Sequence, residues 1–573
     1  MRKTKLWVKI IFPMIVFCIL ASLSMPISDA AYTPPFKTLR IGLFFNTTVL
    51  PSANLQNVSG LGSGFEFGYY NSSRNFVTIG AWTNENAITM SMDRNMTWHP
   101  GAGGGAGEFR EGTQGPIVLG CFHIKLNAYY ETFEQAAAAA EAYSDSFVKY
   151  DSEWFYVMIG QYTTRAEAES VASSRGLTGS LVDAGTANTI VVVKTGTNQI
   201  LFEFDYGTTR FFGVRPIPIN DETPETWFRG FRYTGGFQYA RRGGELITVV
   251  NYVDTEDYVK GILPYEMNNT WPMEALKAQA VTARTYAHAS LNTHSSYGFD
   301  LCTTEHCQVY LGRALANERT DRAVDETANM FVTFEGELAR TFYASSNGGA
   351  SENIENVWFD AMPHLIGVID PYEADVAARI PSYSWTITYT PQQLTQRLQS
   401  RGVNCSTIVS MAVSAYTTTG NVLSVTVRDS NGRSFTFTRR EQLSSMLGVR
   451  TQRFNIGNVA HEPGSIFAND PAQVLDADSQ LFAIDAEGNA VAVPNGPMYA
   501  ITESGAVEII SGDSGGSSSG SDNGMINGLF TIRGTGNGHN VGMSQWGAYS
   551  MAEYHGMDFV DIIKFYYTGV EVG

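Results

Sequence analysis

Residues 252–288 read YVDTEDYVKGILPYEMNNTWPMEALKAQAVTARTYAH. Pro272 is placed to open a helix, where its missing N–H falls on a group that has no intrahelical partner. Met273, Leu276, Ala280, Ala283 and Ala287 then recur at spacings of three and four, the apolar face of a helix. The small alanines let another element approach closely. Glu266 follows Pro264 in what reads as a loop, flanked by Leu263, Tyr265, Met267 and Trp271. A carboxyl group in such surroundings is partly desolvated, which raises its pKa. A general acid working near neutral pH needs that shift. Spacing alone does not separate Glu266 from Glu256 or Glu274.

Around this segment the chain is long, apolar and acidic. It has 573 residues, 43% hydrophobic and 16% charged, which excludes a disordered protein. With 56 Gly, 28 Tyr and 33 Phe, the composition leans towards strands and turns in an extracytoplasmic setting. The 38 basic and 56 acidic side chains give a net charge of −18. That disfavours nucleic acid and anionic membrane as partners, because both require phosphates to be neutralised. A glycan is compatible with it.

The amino terminus reads as an address. Arg2, Lys3, Lys5 and Lys9 precede an apolar run from Ile10 to Leu23, and Ser28-Asp29-Ala30-Ala31 follows. Residues 1–30 are therefore expected to be a signal peptide, or a signal anchor if uncleaved. Cleavage would remove four bases and one acid, taking the charge to −21. Of the five cysteines, Cys18 lies in the signal and Cys121 and Cys405 are isolated, while Cys302 and Cys307 are neighbours. This is not a disulfide scaffold.

Residues 38–118 are expected to be β-rich, with a strand at Leu39–Phe45 and a Gly-rich loop from Gly101 to Gly107, packed with the main domain. Residues 119–195 change texture. Val118–Lys125, Phe147–Tyr150, Trp154–Gln161 and Thr189–Lys194 read as strands, with helices at Thr132–Ser144 and Thr164–Arg175. This is a βαββαβ order, as in a small ferredoxin-like sandwich. The segment Trp154-Phe155-Tyr156-Val157-Met158-Ile159-Gly160-Gln161-Tyr162, with Thr164-Arg165-Ala166-Glu167-Ala168-Glu169, resembles the SPOR domain. The resemblance implies a module that binds peptide-free cell-wall glycan on its sheet face. Residues 511–524 are Gly/Ser/Asp-rich and read as a flexible loop within the remaining domain, 196–573.

Four blocks carry a second, longer resemblance. The first is Gly261-Ile262-Leu263-Pro264-Tyr265-Glu266-Met267 with Trp271 to Val281 and Ala283-Arg284-Thr285-Tyr286-Ala287. The second is Cys302-Thr303-Thr304-Glu305-His306-Cys307-Gln308-Val309-Tyr310. The third is Phe342-Tyr343-Ala344-Ser345-Ser346-Asn347-Gly348-Gly349 with Ser351-Glu352-Asn353 and Val357-Trp358. The fourth runs from Gly534 through His539, Asn540 and Gln545 to Ala548. Together they resemble the stage II sporulation protein D/amidase-enhancer family (SpoIID/LytB). Asn540 stands where that family usually has Gly, and Ser346-Asn347-Gly348-Gly349 where it has SSGG. Asn tolerates the left-handed region, so a turn survives at either place.

The resemblance implies an α+β fold, a large mixed domain with many strands beside the small SPOR-type module. It implies an exported lytic transglycosylase acting on denuded peptidoglycan strands, with Glu266 as acid/base. It also implies a structural Zn²⁺ held by Cys302, His306 and Cys307, and His294 is the candidate to complete the set as a fourth ligand. Cys302 and Cys307 read by themselves are equally compatible with a local disulfide or two buried thiols. Gln279, Arg284, Tyr343, Ser345, Ser346, His539 and Gln545 are the candidates to line the substrate groove. The enhancer branch of the family supplies the alternative, a non-catalytic wall-binding protein that stimulates a cell-wall amidase. A zinc hydrolase ranks below both, because no HExxH helix accompanies the cysteines.

Overall fold

The computed structural model describes residues 32–101, 107–183, 188–242, 246–358, 360–457 and 523–573, together with the backbone of four short strands between 482 and 509. The expected signal, the centre of the Gly101–Gly107 loop and the 511–524 loop up to residue 522 lie outside the described residues. Among the described residues no helix is long and apolar enough to cross a membrane.

The architecture is mixed, with two large sheets and a helical layer. The seven-stranded sheet has the order Leu301–Cys302, Thr38–Phe44, Ile247–Asp254, Gly236–Arg241, Phe212–Pro218, Gly62–Tyr70 and Phe76–Thr83. Thr38–Phe44 runs antiparallel to Ile247–Asp254, with Ile41 opposite Asn251, and parallel to Leu301–Cys302, with Gly42 beside Cys302. Residues distant in sequence are thus joined directly ahead of the helix that bears Glu266. Ile247–Val253 is buried throughout, as a central strand covered on both faces should be.

The second sheet has ten strands, and Gly179–Asp183, Phe122–Tyr130, Trp154–Tyr162 and Ser146–Asp151 form one end of it in that order. Helices Phe133–Ala140 and Arg165–Ser174 start at Thr132 and Thr164, whose side chains accept from the N–H groups of Gln135 and Glu167. The βαββαβ order closes with Gly179–Asp183, not with Thr189–Lys194 as the sequence suggested. Ile190–Lys194 is a later strand, buried between Ile200–Asp205 and Ala87–Met92. The apolar run drew the assignment, whereas Gly179–Asp183 is a half-exposed edge strand with little hydrophobic signature. The sheet then continues through Ile200–Asp205, which pairs in parallel with Ser146–Asp151.

Inside this sheet Lys149 stands opposite Glu203, with Nζ 2.8 Å from Oε1 and both side chains buried. Asp205 adds a second contact at 3.5 Å. Burial opposes the charge of Lys149, but Glu203 and Asp205 outweigh it and hold the ammonium above its usual pKa. Lys149→Met leaves Glu203 buried without its cation and is expected to cost about 3–5 kcal/mol. Lys149→Met with Glu203→Leu should recover most of that loss in chemical denaturation.

One hydrophobic core runs through both sheets and the helices around Met273–Ala289. A second, built from Trp385, Leu394, Ile408, Val425, Leu443, Phe454 and Ile532, fills the region after residue 384.

Candidate functional site

Glu266 is the last residue of helix Thr255–Glu266, whose N-cap Asp254 accepts from the Glu256 N–H at 2.8 Å. The expected loop is therefore a helix end, and Pro264 lies inside its last turn. Pro removes one ladder hydrogen bond there. Burial of Ile262, Leu263 and Met267 offsets that loss, and the Met267 N–H closes the turn onto the Leu263 carbonyl at 3.0 Å.

Of the three glutamates that spacing left equal, two are held by cations. Glu256 takes Arg284 in a two-pronged contact at 2.9 and 2.6 Å, and Glu274 takes Lys277 at 3.0 Å. Glu266 is half-buried, and among the described residues no ion pair involves it. Burial raises its pKa, while hydrogen bonds from Gln545 and Tyr343 pull it back, and Glu305 adds a smaller upward push.

The two donors arrive on a pair of short parallel strands. Tyr343–Ala344 pairs with Met543–Ser544, and Ser544 then caps helix Gln545–Tyr554. Gln545 Nε2 lies 3.2 Å from Glu266 Oε2 and 3.4 Å from Gln279 Oε1. The carboxylate of Glu266 can only accept, so the Gln545 nitrogen faces it, and fully buried Gln279 on helix Met273–Ala289 turns its oxygen to the same nitrogen.

Gln308, which the sequence reading passed over, settles the direction of the Tyr343 hydrogen bond. Its Nε2 donates to the Ala283 carbonyl at 3.4 Å and to the Tyr343 hydroxyl at 3.0 Å, and its Oε1 accepts from Tyr258 at 3.2 Å. A carbonyl oxygen can only accept, so the amide orientation is determined. The Tyr343 oxygen then accepts from Gln308, leaving its proton for Glu266. The signal that could have found Gln308 was its place directly after Cys307.

The other expected groove residues divide. His539 receives the Val541 N–H on Nδ1 at 3.0 Å, and its Nε2 lies 2.9 Å from the Tyr343 carbonyl. Burial and Arg440 lower its pKa to about 4, so the ring is neutral and Nε2–H donates. It fixes the backbone of Tyr343. Ser345 contributes its carbonyl to the Trp546 N–H at 3.1 Å. Arg284 and Ser346 lie away from the groove. Arg284 is fully buried, with its guanidinium engaged by Glu256 and the Met330 and Val324 carbonyls. Ser346 is fully buried and donates to Glu373 at 2.8 Å.

Glu373, also unforeseen, ties the site together. It accepts from Ser346, from the Asn347 and Gly348 N–H groups at 2.7 and 2.9 Å, and from Ser544. Burial and the nearby Asp370 push it up to about 7. Asn540 takes φ of 66°, the left-handed turn expected of a residue standing for Gly, and donates to the Asn347 carbonyl at 2.7 Å.

Beside this site His294, Cys302, His306 and Cys307 place one ligand atom each within 4.8 Å of one another. Cys307 Sγ lies 3.4 Å from His294 Nε2 and 3.5 Å from His306 Nδ1, and Cys302 Sγ lies 3.7 Å from His306 Nδ1. Tetrahedral Zn²⁺ with its usual Zn–S and Zn–N lengths requires neighbouring ligands about 3.5 Å apart. The donor set and its spacing fit that ion.

A second surface lies on the ten-stranded sheet. Phe155 points to helix Phe133–Ala140, so Trp154 and Tyr156 face the other way. Exposed Tyr129 sits opposite Tyr156 in register and meets Trp154 edge-on at 4.8 Å, and Lys125 lies 3.5 Å over the Tyr156 ring.

These features describe a strand-rich α+β protein in which a partly desolvated Glu266, free of ion pairs among the described residues, takes two neutral donors beside a Cys₂His₂ cluster. The Stage II sporulation protein family (SpoIID) matches residues 244–334, which include Glu266 and the His294, Cys302, His306 and Cys307 cluster. An uncharacterised protein of Brachyspira hyodysenteriae is 30% identical over 63% of this chain and 77% of its own length. The Bacillus subtilis amidase enhancer is 27% identical over 54% of this chain, and the match spans 39% of that protein's length. Stage II sporulation protein D of B. subtilis is 24% identical, over 56% of this chain and 75% of its own. The chain belongs to the SpoIID/LytB family.

Proposed function

We propose that the protein is an extracytoplasmic peptidoglycan lytic transglycosylase, linked to sporulation or wall remodelling, that cleaves denuded strands between N-acetylmuramic acid and N-acetylglucosamine. The observation that carries this reading is Glu266, half-buried, without an ion pair, and held by the Gln545 amide and the Tyr343 hydroxyl. Protonated Glu266 donates to the glycosidic oxygen as the C1–O bond breaks. The carboxylate then takes the proton of the muramic C6 hydroxyl as its oxygen bonds to C1, giving a 1,6-anhydro ring. One carboxyl group serves both steps, with no second carboxylate to activate water.

In this reading zinc is structural. His294, Cys302, His306 and Cys307 would hold it, all four positions being taken by protein. The ion would fix the loop from which Gln308 orients Tyr343. The Tyr129, Trp154 and Tyr156 face is the sugar-binding surface of a SPOR-type module, whose rings offer stacking area to a glycan. Tethering it to the Glu266 site raises the local concentration of strands there.

Mass spectrometry of products from denuded glycan tests the activity. Anhydro-ended fragments support it, and an intact polymer or reducing ends opened by water count against it. Gln308→Leu should free the Tyr343 hydroxyl and raise the Glu266 pKa. The first step needs the protonated acid, so the alkaline limb of the pH–rate profile should move to higher pH.

The similarity to the amidase enhancer favours a second reading, a wall-bound protein that stimulates an amidase. Stimulation of a purified amidase by Glu266→Gln protein, in the absence of anhydro products from the wild type, would select it.

A further inference from the structure

Helix Gln545–Tyr554 carries more than the Gln545 donor. Tyr549, one turn further on, is nearly buried, with its ring 5.2 Å from Trp271 and 5.6 Å from Trp546, and the two tryptophans are 4.6 Å apart. Trp271 and Trp546 are each half-buried, so each keeps surface open to solvent. Exposed Arg379 reaches over this cluster. Its guanidinium lies 4.7 Å from the Tyr549 ring centroid, and Nη1 donates to the Tyr549 hydroxyl at 2.6 Å and the Tyr554 hydroxyl at 3.1 Å.

An exposed arginine is ordinary, but the way this one is held is not. Among the described residues no carboxylate pairs with it. The acid four residues earlier, Asp375, is engaged by His555 at 2.8 Å and Ser550 at 3.4 Å. Both phenol oxygens accept from Arg379, so both hydroxyl protons point elsewhere, and no protein acceptor takes them among the described residues. The remaining guanidinium N–H groups and two hydroxyl protons make an array of donors with no acceptor. Its complement is an anionic oxygen ligand, and a planar guanidinium suits a carboxylate.

The position fits a sugar polymer. Tyr549 and Tyr554 lie four and nine residues beyond Gln545, or about 6 and 13 Å along the helix axis, and Gln545 touches Glu266. That span is of the order of a disaccharide repeat, and the open tryptophan faces between suit the apolar side of a sugar ring. When a stem peptide is removed by hydrolysis of its amide, the muramic acid keeps a free lactyl carboxylate. A strand still bearing peptides presents an uncharged amide there. The chain's net charge of −18 repels such a polyanion at long range, so recognition requires a local, held cation.

We propose that Arg379, held by Tyr549 and Tyr554 beside Trp271 and Trp546, is the subsite that reads the muramic-acid carboxylate and selects strands freed of their peptides. The inference rests on Glu266 being the reaction centre of a glycan groove.

The test uses full-length Glu266→Gln protein, so that binding is measured without turnover. The ligands are a denuded glycan oligomer and the same oligomer with its carboxylates converted to methylamides. The parent is expected to bind the carboxylate form about tenfold more tightly, the worth of one charge-assisted contact. With Arg379→Gln added, the two affinities should converge, with an unchanged melting temperature. Equal affinities in the parent, or a preference that survives Arg379→Gln, overturn the proposal. The aromatic face of the ten-stranded sheet also offers stacking area to glycan, so both proteins carry Tyr129→Ala and Trp154→Ala, exposed positions whose loss removes that face from the comparison. An intact preference together with no anhydro product from wild-type protein would remove the reaction and keep the subsite.

Discussion

Glu266→Gln is expected to lower release of anhydro-ended products by about 10²–10⁴-fold, towards the upper end because one group serves as both acid and base. Gln is isosteric and keeps one oxygen as an acceptor for the donors at the site, so its shape and packing survive. It cannot deliver a proton to the leaving oxygen or remove one from the C6 hydroxyl. Stability should be unchanged or slightly higher, because a half-buried ionisable group is replaced by a neutral one. Product release at the wild-type rate from a folded variant would move the chemistry off Glu266. A melting temperature several degrees lower would mean the substitution had damaged the helix end instead.

The second large effect is expected from the Cys/His cluster. Structural zinc sites in small peptides contribute about 10–16 kcal/mol to folding. Here the extensive core carries much of the stability, so the loss should be local. Cys302→Ser or a strong chelator is expected to release one equivalent of zinc, lower the melting temperature and increase hydrogen exchange at 303–310. Activity should fall with it, because Gln308 in that stretch holds Tyr343 against Glu266. Protein prepared under reducing conditions without zinc, and unchanged in melting and exchange, would rule out the metal role. A reducible Cys302–Cys307 disulfide with no metal in elemental analysis would do the same. Lys149→Met tests a different part of the molecule, and its effect should be additive with the cluster's.

Much of the site was legible in the sequence because its residues sit in contiguous blocks. Glu266, Gln279, Tyr343 and Gln545 were all marked, and the structure gathers them. Arg284 and Ser346 were marked by the same blocks and proved to be internal braces, one on Glu256 and one on Glu373. A polar residue within a motif looks the same whether it faces a groove or a buried carboxylate. Gln308 and Glu373 were missed for the converse reason. Their roles depend on partners distant in sequence, Gln308 on Tyr343 and Tyr258, and Glu373 on Ser346 and Ser544.

The sequence by itself determined what is local. It placed helix Met273–Ala289 after Pro272, the helices that open at Thr132 and Thr164, and the left-handed Asn540, because caps, periodicity and turn propensity act over a few residues. Tertiary structure decided what depends on long-range pairing. It made Gly179–Asp183 rather than Ile190–Lys194 the fourth strand, joined Thr38–Phe44 to Ile247–Asp254, and paired Tyr343–Ala344 with Met543–Ser544, which carries Gln545 at its end to the same carboxyl group. It also decided which glutamate stays unpaired. Glu256, Glu266 and Glu274 have similar local sequences, and only the packing of distant segments left Glu266 desolvated with neutral donors while the others met Arg284 and Lys277.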